Sequence, residues 1–182
     1  KWLKKECKGS ELRGHIIGIV GFGLIGEEVA KRAFAFDMKV LGFDILPDRI
    51  KVMKGMGVKF CTLEELISSS NILTVHVPLN PKTKGLIGEA EIRMLPQGAI
   101  IINTSRGGII DEKALYDGLA SGHLGGAGVD VFTEEPPHKS KLLQKLIALP
   151  NVVCTPHIGA QTIDASRANS MIIAEKLQQI LG

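Results

Sequence analysis

Ile16-Ile17-Gly18-Ile19-Val20 runs directly into Gly21-Phe22-Gly23-Leu24-Ile25-Gly26. The first stretch is apolar and mostly β-branched, the composition of a strand buried on both faces. The second fits G-x-G-x-x-G. Glycine-rich hexamers occur in many loops, so the setting carries the weight. Behind the turn, Ile25, Val29, Ala33 and Phe36 fall near helical spacing, and Lys39-Val40-Leu41-Gly42-Phe43 supplies a second strand. In a strand–turn–helix–strand unit each glycine has a task. Gly21 permits the tight turn, Gly23 lets the backbone approach a pyrophosphate, and Gly26 lets the helix pack close to the strand. The helix start then offers free N–H groups and partial positive charge to phosphate.

Asp44 closes the second strand, about 20 residues beyond the turn, where a dinucleotide site places its ribose-binding acid. A carboxylate there accepts hydrogen bonds from ribose hydroxyls and repels a 2′-phosphate. Ile45 and Leu46 come next and bring no arginine. The expected cofactor is NAD rather than NADP.

The same alternation continues outward. A short helix is expected over Pro47 to Gly55 and a weak strand over Val58 to Phe60. Thr62 can cap a helix carrying Leu63, Leu66 and Ile67, with Glu65 three places after the cap. Strands are expected at Ile72 to Val77, Ala99 to Asn103, Ala127 to Asp130 and Asn151 to Cys154. Asp111 can cap a helix through Leu115 and Leu119 that Gly122 ends, and Thr162 to Leu181 has the spacing of a long amphipathic helix. Glu134 to Lys145, rich in proline and charge, reads as a surface loop. Apolar strands alternating with helices predict an α/β fold, a Rossmann-type doubly wound parallel sheet in one domain.

Composition narrows the function. The 182 residues carry 22 basic and 19 acidic side chains, a net charge of +3, and 4% aromatics. Neither a nucleic-acid partner nor a membrane surface is expected from that balance. No apolar run approaches the ~18 residues of a membrane span, and no signal peptide is legible, so a cytoplasmic protein is expected. Cys7, Cys61 and Cys154 are too scattered for a disulfide framework or a metal site, and read as idle thiols.

Further along, polar residues stand where strands end. Arg106 comes after Ile100–Asn103, Glu135 after Val129–Phe132, and His157 after Val152–Pro156. Open α/β sheets bind ligands beyond the carboxyl ends of their strands, so these side chains can converge. Arginine grips a carboxylate with two parallel hydrogen bonds. Histidine moves protons near neutral pH, and a glutamate beside it orients the ring and favours the imidazolium.

Five stretches, Gly21–Gly26, His76-Val77-Pro78-Leu79, Asn103–Asp111, Asp130–Pro137 and Thr155–Ala160, together resemble the D-isomer-specific 2-hydroxyacid dehydrogenases, in family order along essentially the whole chain. The resemblance implies catalytic roles for Arg106, Glu135 and His157. Glu135 is chosen over Glu134 because it directly precedes Pro136. It implies further cofactor contacts at Leu24 and Ile25 in the turn and at Val77 and Pro78 under the adenosine. Thr104, Asp130, Gly159 and Ala160 would lie near the nicotinamide end. It implies hydride transfer between NAD and a D-2-hydroxy or 2-keto acid, with D-3-phosphoglycerate favoured as substrate in the opening step of serine biosynthesis, and a homodimer. A glyoxylate or hydroxypyruvate reductase and an NAD-binding transcriptional corepressor are alternatives within the family. A formate dehydrogenase is disfavoured, because that relative has an amide where Glu135 stands. The family inserts its cofactor domain into a separate substrate domain. Residues 1–14 are therefore expected to be a lead-in segment and 162–182 an exit helix, with the substrate domain outside this chain.

Overall fold

The computed structural model describes residues 9–181; residues 1–8, which include Cys7 and most of the expected lead-in segment, and Gly182 lie outside the described residues. The element order is β1 (Ile16–Val20), α1 (Leu24–Ala35), β2 (Lys39–Phe43), α2 (Pro47–Gly55), β3 (Lys59–Phe60), α3 (Leu63–Ser69), β4 (Ile72–Val75), α4 (Glu89–Met94), β5 (Ile100–Asn103), α5 (Glu112–Ala120), β6 (Gly126–Val129), α6 (Lys141–Ile147), β7 (Val152–Cys154) and α7 (Ile163–Leu181). The seven strands form one sheet in the order β3-β2-β1-β4-β5-β6-β7, and every pairing is parallel. This is the doubly wound topology that the sequence predicts. Its order reverses between β1 and β4, and the crevice of such a sheet opens at that point.

The apolar run of β1 is explained by burial on both faces. Ile17 and Ile19 pack with Phe22, Ala30, Ala33 and Met53 on one side, whereas Val20 joins Leu66, Ile67 and Leu73 on the other. The helix after the turn differs from its apolar spacing. It buries Gly26, Ala30 and Ala33 against the sheet and leaves Ile25 and Phe36 exposed. Small residues win the buried face because this helix lies close over the strands. The Thr62 cap forms as expected: its hydroxyl accepts from Glu65 N, and the Glu65 carboxylate accepts from Thr62 N.

The stretch expected to be a loop is partly helical. Residues 130–136 are irregular, Pro137–Lys139 make a 3-10 turn, and α6 comes next. Ser140 caps α6 by accepting from Leu143 N, and Leu143 and Leu146 are buried. Full burial of two leucines, worth about 1.5–3 kcal/mol each, outweighs the charge and proline of the segment. The helix α4 was not legible in the sequence; Glu91 accepts from Gly88 N at its start, and Ile92 is buried. The long helix expected over Thr162 to Leu181 forms as α7, capped by Thr162, whose hydroxyl accepts from Ala165 N, and it buries no residue.

Candidate active site

One register row organises the site. Phe43 pairs with Val20, Val20 with Val75, Val75 with Asn103, Asn103 with Val129 and Val129 with Cys154. Each is the last residue of its strand. The chain leaves the sheet along this one line, and the first residues beyond it are Asp44, Gly21, His76, Thr104, Asp130 and Thr155. The row crosses five inter-strand gaps, about 24 Å at the usual strand spacing. The expected ligand and catalytic residues are therefore strung along one edge by sheet geometry.

At the β1–β2 end lies the glycine turn. Gly21 holds φ +95°, and a Cβ there would stand 2.8 Å from Val77 Cγ1 and 3.0 Å from the His76 carbonyl carbon. A Cβ on Gly26 would meet Gly21 O at 2.1 Å, so this glycine is what lets the helix close onto the turn. Gly23 is different, since a Cβ there would meet nothing within 4 Å. The space above the N-terminus of α1 is open, as a backbone cradle for pyrophosphate requires. Leu24 and Ile25 are exposed at that helix start.

Asp44 does more than the sequence indicates. Its Oδ2 accepts from Phe22 N at 2.6 Å and its Oδ1 from Leu46 N at 2.8 Å. The carboxylate thus pins the glycine turn to the end of β2. A carboxylate has about four lone-pair positions, so each oxygen keeps capacity for a ribose hydroxyl. The open cradle and the ribose acceptor fit NAD.

From Ile25 the sheet edge borders a cleft of about 860 Å³. Val77 and Pro78 line it after β4, Thr104 and Arg106 after β5, and Asp130, His157, Gly159 and Ala160 after β6 and β7. Gly21, Gly23, Leu24, Gly26 and Asp44 lie outside this lining, and so does Glu135, which stands behind His157 beside a second cavity of about 440 Å³. His76 also lines the cleft, and burial pushes its imidazole down to about 4, so it is neutral at neutral pH.

Arg106 sits on a turn built by Asn103. The buried Asn103 side chain accepts from Ser105 N and Oγ through its oxygen and donates to Arg106 O from its nitrogen. Sequence reasoning missed this residue; its signal is a lone amide ending the apolar run of β5. The guanidinium donates once, to Ser105 O at 2.6 Å, and pairs with no carboxylate among the described residues.

His157 has φ +55°, and its N–H donates to Asp130 O at 2.9 Å. Asp130 has 4% of its surface exposed, and its carboxylate accepts from Thr155 Oγ1, Ile158 N and Gly159 N. Burial pushes the Asp130 carboxyl up, but these three donors together outweigh it and hold it below its ordinary value. Asp130 thus serves as the frame of the histidine turn, in addition to its place in the cleft. The His157 ring meets Glu135 Oε2 through Nδ1 at 2.8 Å, and Glu135 Oε1 accepts from Phe132 N at 3.0 Å. The His157 contact first, and the Phe132 N–H second, hold the Glu135 carboxyl below its ordinary value. An ionised carboxylate only accepts, so Nδ1 carries the proton of this bond and Nε2 is the ring position left to exchange a proton. Cys61 and Cys154 are free, and burial pushes both thiols up, away from the reactive thiolate.

Comparison with known proteins identifies the family and the fold. A family model described as D-isomer specific 2-hydroxyacid dehydrogenase, NAD binding domain, matches residues 1–159. The chain is 44% identical over 182 residues to a hydroxypyruvate reductase of Thermotoga maritima, covering all of this chain and 58% of that protein. It is 43% identical over its full length to a D-3-phosphoglycerate dehydrogenase of Methanocaldococcus jannaschii, covering 34% of it. The crystal structure of D-lactate dehydrogenase from Aquifex aeolicus complexed with NAD and lactic acid superposes with TM-score 0.84 at 30% identity, over 96% of this chain and 56% of that one. The chain therefore spans between about a third and three fifths of the length of these curated relatives.

Proposed function

The chain belongs to the D-isomer specific 2-hydroxyacid dehydrogenases, as their NAD-binding domain, and from that premise we propose that it is the cofactor half of an enzyme oxidising or reducing the C2 carbon of a D-2-hydroxy or 2-keto acid. The observation that carries this reading is the His157–Glu135 pair at 2.8 Å, with His157 and Arg106 lining one cleft. NAD, when bound, supplies the acceptor or donor of hydride. The protein supplies position and protons. His157 takes the hydroxyl proton at Nε2 in oxidation and returns it to the carbonyl oxygen in reduction. Glu135 fixes the ring and balances its charge. Arg106, whose guanidinium donates only to Ser105 O among the described residues, holds the substrate carboxylate. Gly21, Gly23, Leu24, Ile25 and Gly26 form the pyrophosphate side of the cofactor site, and Asp44 takes the ribose. Val77 and Pro78 back the adenosine, and Thr104, Asp130, Gly159 and Ala160 surround the nicotinamide.

D-3-phosphoglycerate is the substrate we favour, supported by relatives of that name at 40–43% identity. Hydroxypyruvate is the second reading, supported by the Thermotoga maritima relative at 44%. α7 is read as an exit helix toward a substrate domain, a reading supported by the chain's spanning only 34–58% of the length of these relatives. A homodimer completes the reading, supported by the exposed Met171, Ile172, Ile173 and Leu177 of α7. The deciding assay uses this domain joined to the remainder of its protein. It compares kcat/KM for D-3-phosphoglycerate oxidation with that for hydroxypyruvate reduction. A clear preference for phosphoglycerate supports the first substrate, and the reverse order replaces it with the second. Absence of turnover on either, and on D-lactate, overturns the enzymatic reading.

A further inference from the structure

Residues 130–136, which carry Glu135, have no regular secondary structure, and Thr133 to Pro136 are exposed. An exposed irregular segment does not hold a carboxylate against an imidazole unless something fixes its backbone. Glu112, the first residue of α5, does so from 21 positions away in sequence. Its Oε1 accepts from Thr133 N at 2.7 Å and its Oε2 accepts from Thr133 Oγ1. Both oxygens of one carboxylate are taken by the backbone and side chain of one residue, which fixes orientation as well as distance. The anchor is itself firm. Asp111 caps α5 by accepting from Ala114 N at 2.8 Å and donates its own N–H to Ile87 O, and Ala114 and Leu115 are buried. The start of α5 also favours a carboxylate through its partial positive charge.

A second contact closes the same turn from the other side. A Cβ on Gly107 would stand 2.1 Å from the Phe132 carbonyl carbon and oxygen and 2.4 Å from Thr133 N. The loop after Arg106 therefore abuts the backbone next to the Glu112 latch. Within the turn, Phe132 N donates to Glu135 Oε1. Thr133 is thus held at its backbone, and the carboxylate two residues later is folded back beneath His157.

We propose that Glu112 is a positioning residue of the acid–base pair, acting through Thr133 to hold residues 132–135 where Glu135 meets His157 Nδ1. This rests on the acid–base reading of His157 and Glu135. Glu112 hydrogen-bonds to neither member of the pair, and it belongs to neither the glycine turn nor the lining of the cleft. Its loss should therefore loosen the pair and spare cofactor binding.

The test is NMR of the 182-residue chain with 15N-labelled histidine, which reads the hydrogen-bonded Nδ1 proton and the Nδ1 shift of His157. Glu112→Ala and Thr133→Val should each lose that proton resonance. Thr133→Ser, which keeps both donors, should retain it. NAD affinity by calorimetry should stay within about twofold in all of them. Glu135→Ala is the control that removes the acceptor itself. If Glu112→Ala and Thr133→Val keep the resonance while Glu135→Ala loses it, the latch is overturned and the acid–base pair stands. If the unmodified chain lacks the resonance, or Glu135→Ala leaves it unchanged, the acid–base reading falls and the latch falls with it. Should Glu112→Ala fail to fold, the Thr133→Val and Thr133→Ser pair decides by itself, with equal resonances in the two overturning the proposal.

Discussion

Asp44 holds the glycine turn and, in the proposed cofactor site, takes the ribose, so its replacement should show in stability and in cofactor choice separately. In Asp44→Ala, Phe22 N and Leu46 N lose their acceptor. Hydrogen bonds to a charged group contribute about 1.5–3 kcal/mol each when desolvated. Asp44 is half-buried, and water can replace part of the loss. A net cost of about 2 kcal/mol is expected, which lowers Tm by roughly 4–8 °C in a domain of this size. Cofactor choice is a matter of charge. Like charges about 4 Å apart repel by about 4 kcal/mol at an effective dielectric near 20. Solvent screening brings this to about 2 kcal/mol, a preference of roughly 30-fold for NADH over NADPH. Calorimetry with both nucleotides, on the unmodified chain and on Asp44→Ala, measures the preference, and a thermal melt measures the cost. The substitution should weaken NADH by about tenfold or more and shrink the preference toward unity. Asp44→Asn should also shrink it, because an amide carries no charge, while still costing stability, since its NH₂ turns a donor toward one of the two N–H groups. Equal affinity for NADH and NADPH in the unmodified chain would refute the charge argument. An unchanged Tm in Asp44→Ala would refute the pinning of the turn.

The turn glycines should divide by the space around them. Gly23→Val, with open space at its Cβ, should abolish NAD binding with Tm nearly intact, whereas Gly26→Ala, with Gly21 O at 2.1 Å, should cost stability by about 1–3 kcal/mol or more in a melt. In the enzyme carrying this domain, His157→Ala should lower kcat by about 10²–10⁴-fold with NAD affinity preserved, and stopped-flow turnover close to normal would remove His157 from the chemistry. Glu135→Gln should be milder and move the kcat/KM pH profile toward acid, while Arg106→Lys should raise KM for the acid as well as lower kcat. Asp130 is held below its ordinary 3.8, so its contribution to stability is complete above that pH and is lost as pH falls through it toward the folded value. Melts between about pH 5 and 2 should therefore show a shallower acid limb in Asp130→Asn, and identical limbs would count against the three-donor frame.

Much of this protein is legible in one dimension because its signals are local. The apolar runs of β1, β2 and β5, the spacing of Gly21, Gly23 and Gly26, and Thr62 with Glu65 each depend on residues within a few positions of one another. The sequence alone therefore determined the parallel α/β fold, the glycine turn that follows β1 and the acid that closes β2. Arg106, Glu135 and His157 were legible as residues at strand ends, and as a set through the family resemblance. Local signals misled where tertiary burial competed with them. Ile25 and Phe36 sit at helical spacing yet stay exposed, because Gly26, Ala30 and Ala33 fit the narrow gap over β1 and β2. Leu143 and Leu146 draw a charged, proline-rich stretch into α6. What only the tertiary structure decided are the long-range bonds: Asp44 on Phe22 N, Asp130 beneath the His157 turn, and Glu112 on Thr133 across 21 residues. A carboxylate's partners are set by which backbone N–H groups the fold leaves unpaired beside it, and the register row Val20–Val75–Asn103–Val129–Cys154 brings those groups together along one edge of the sheet.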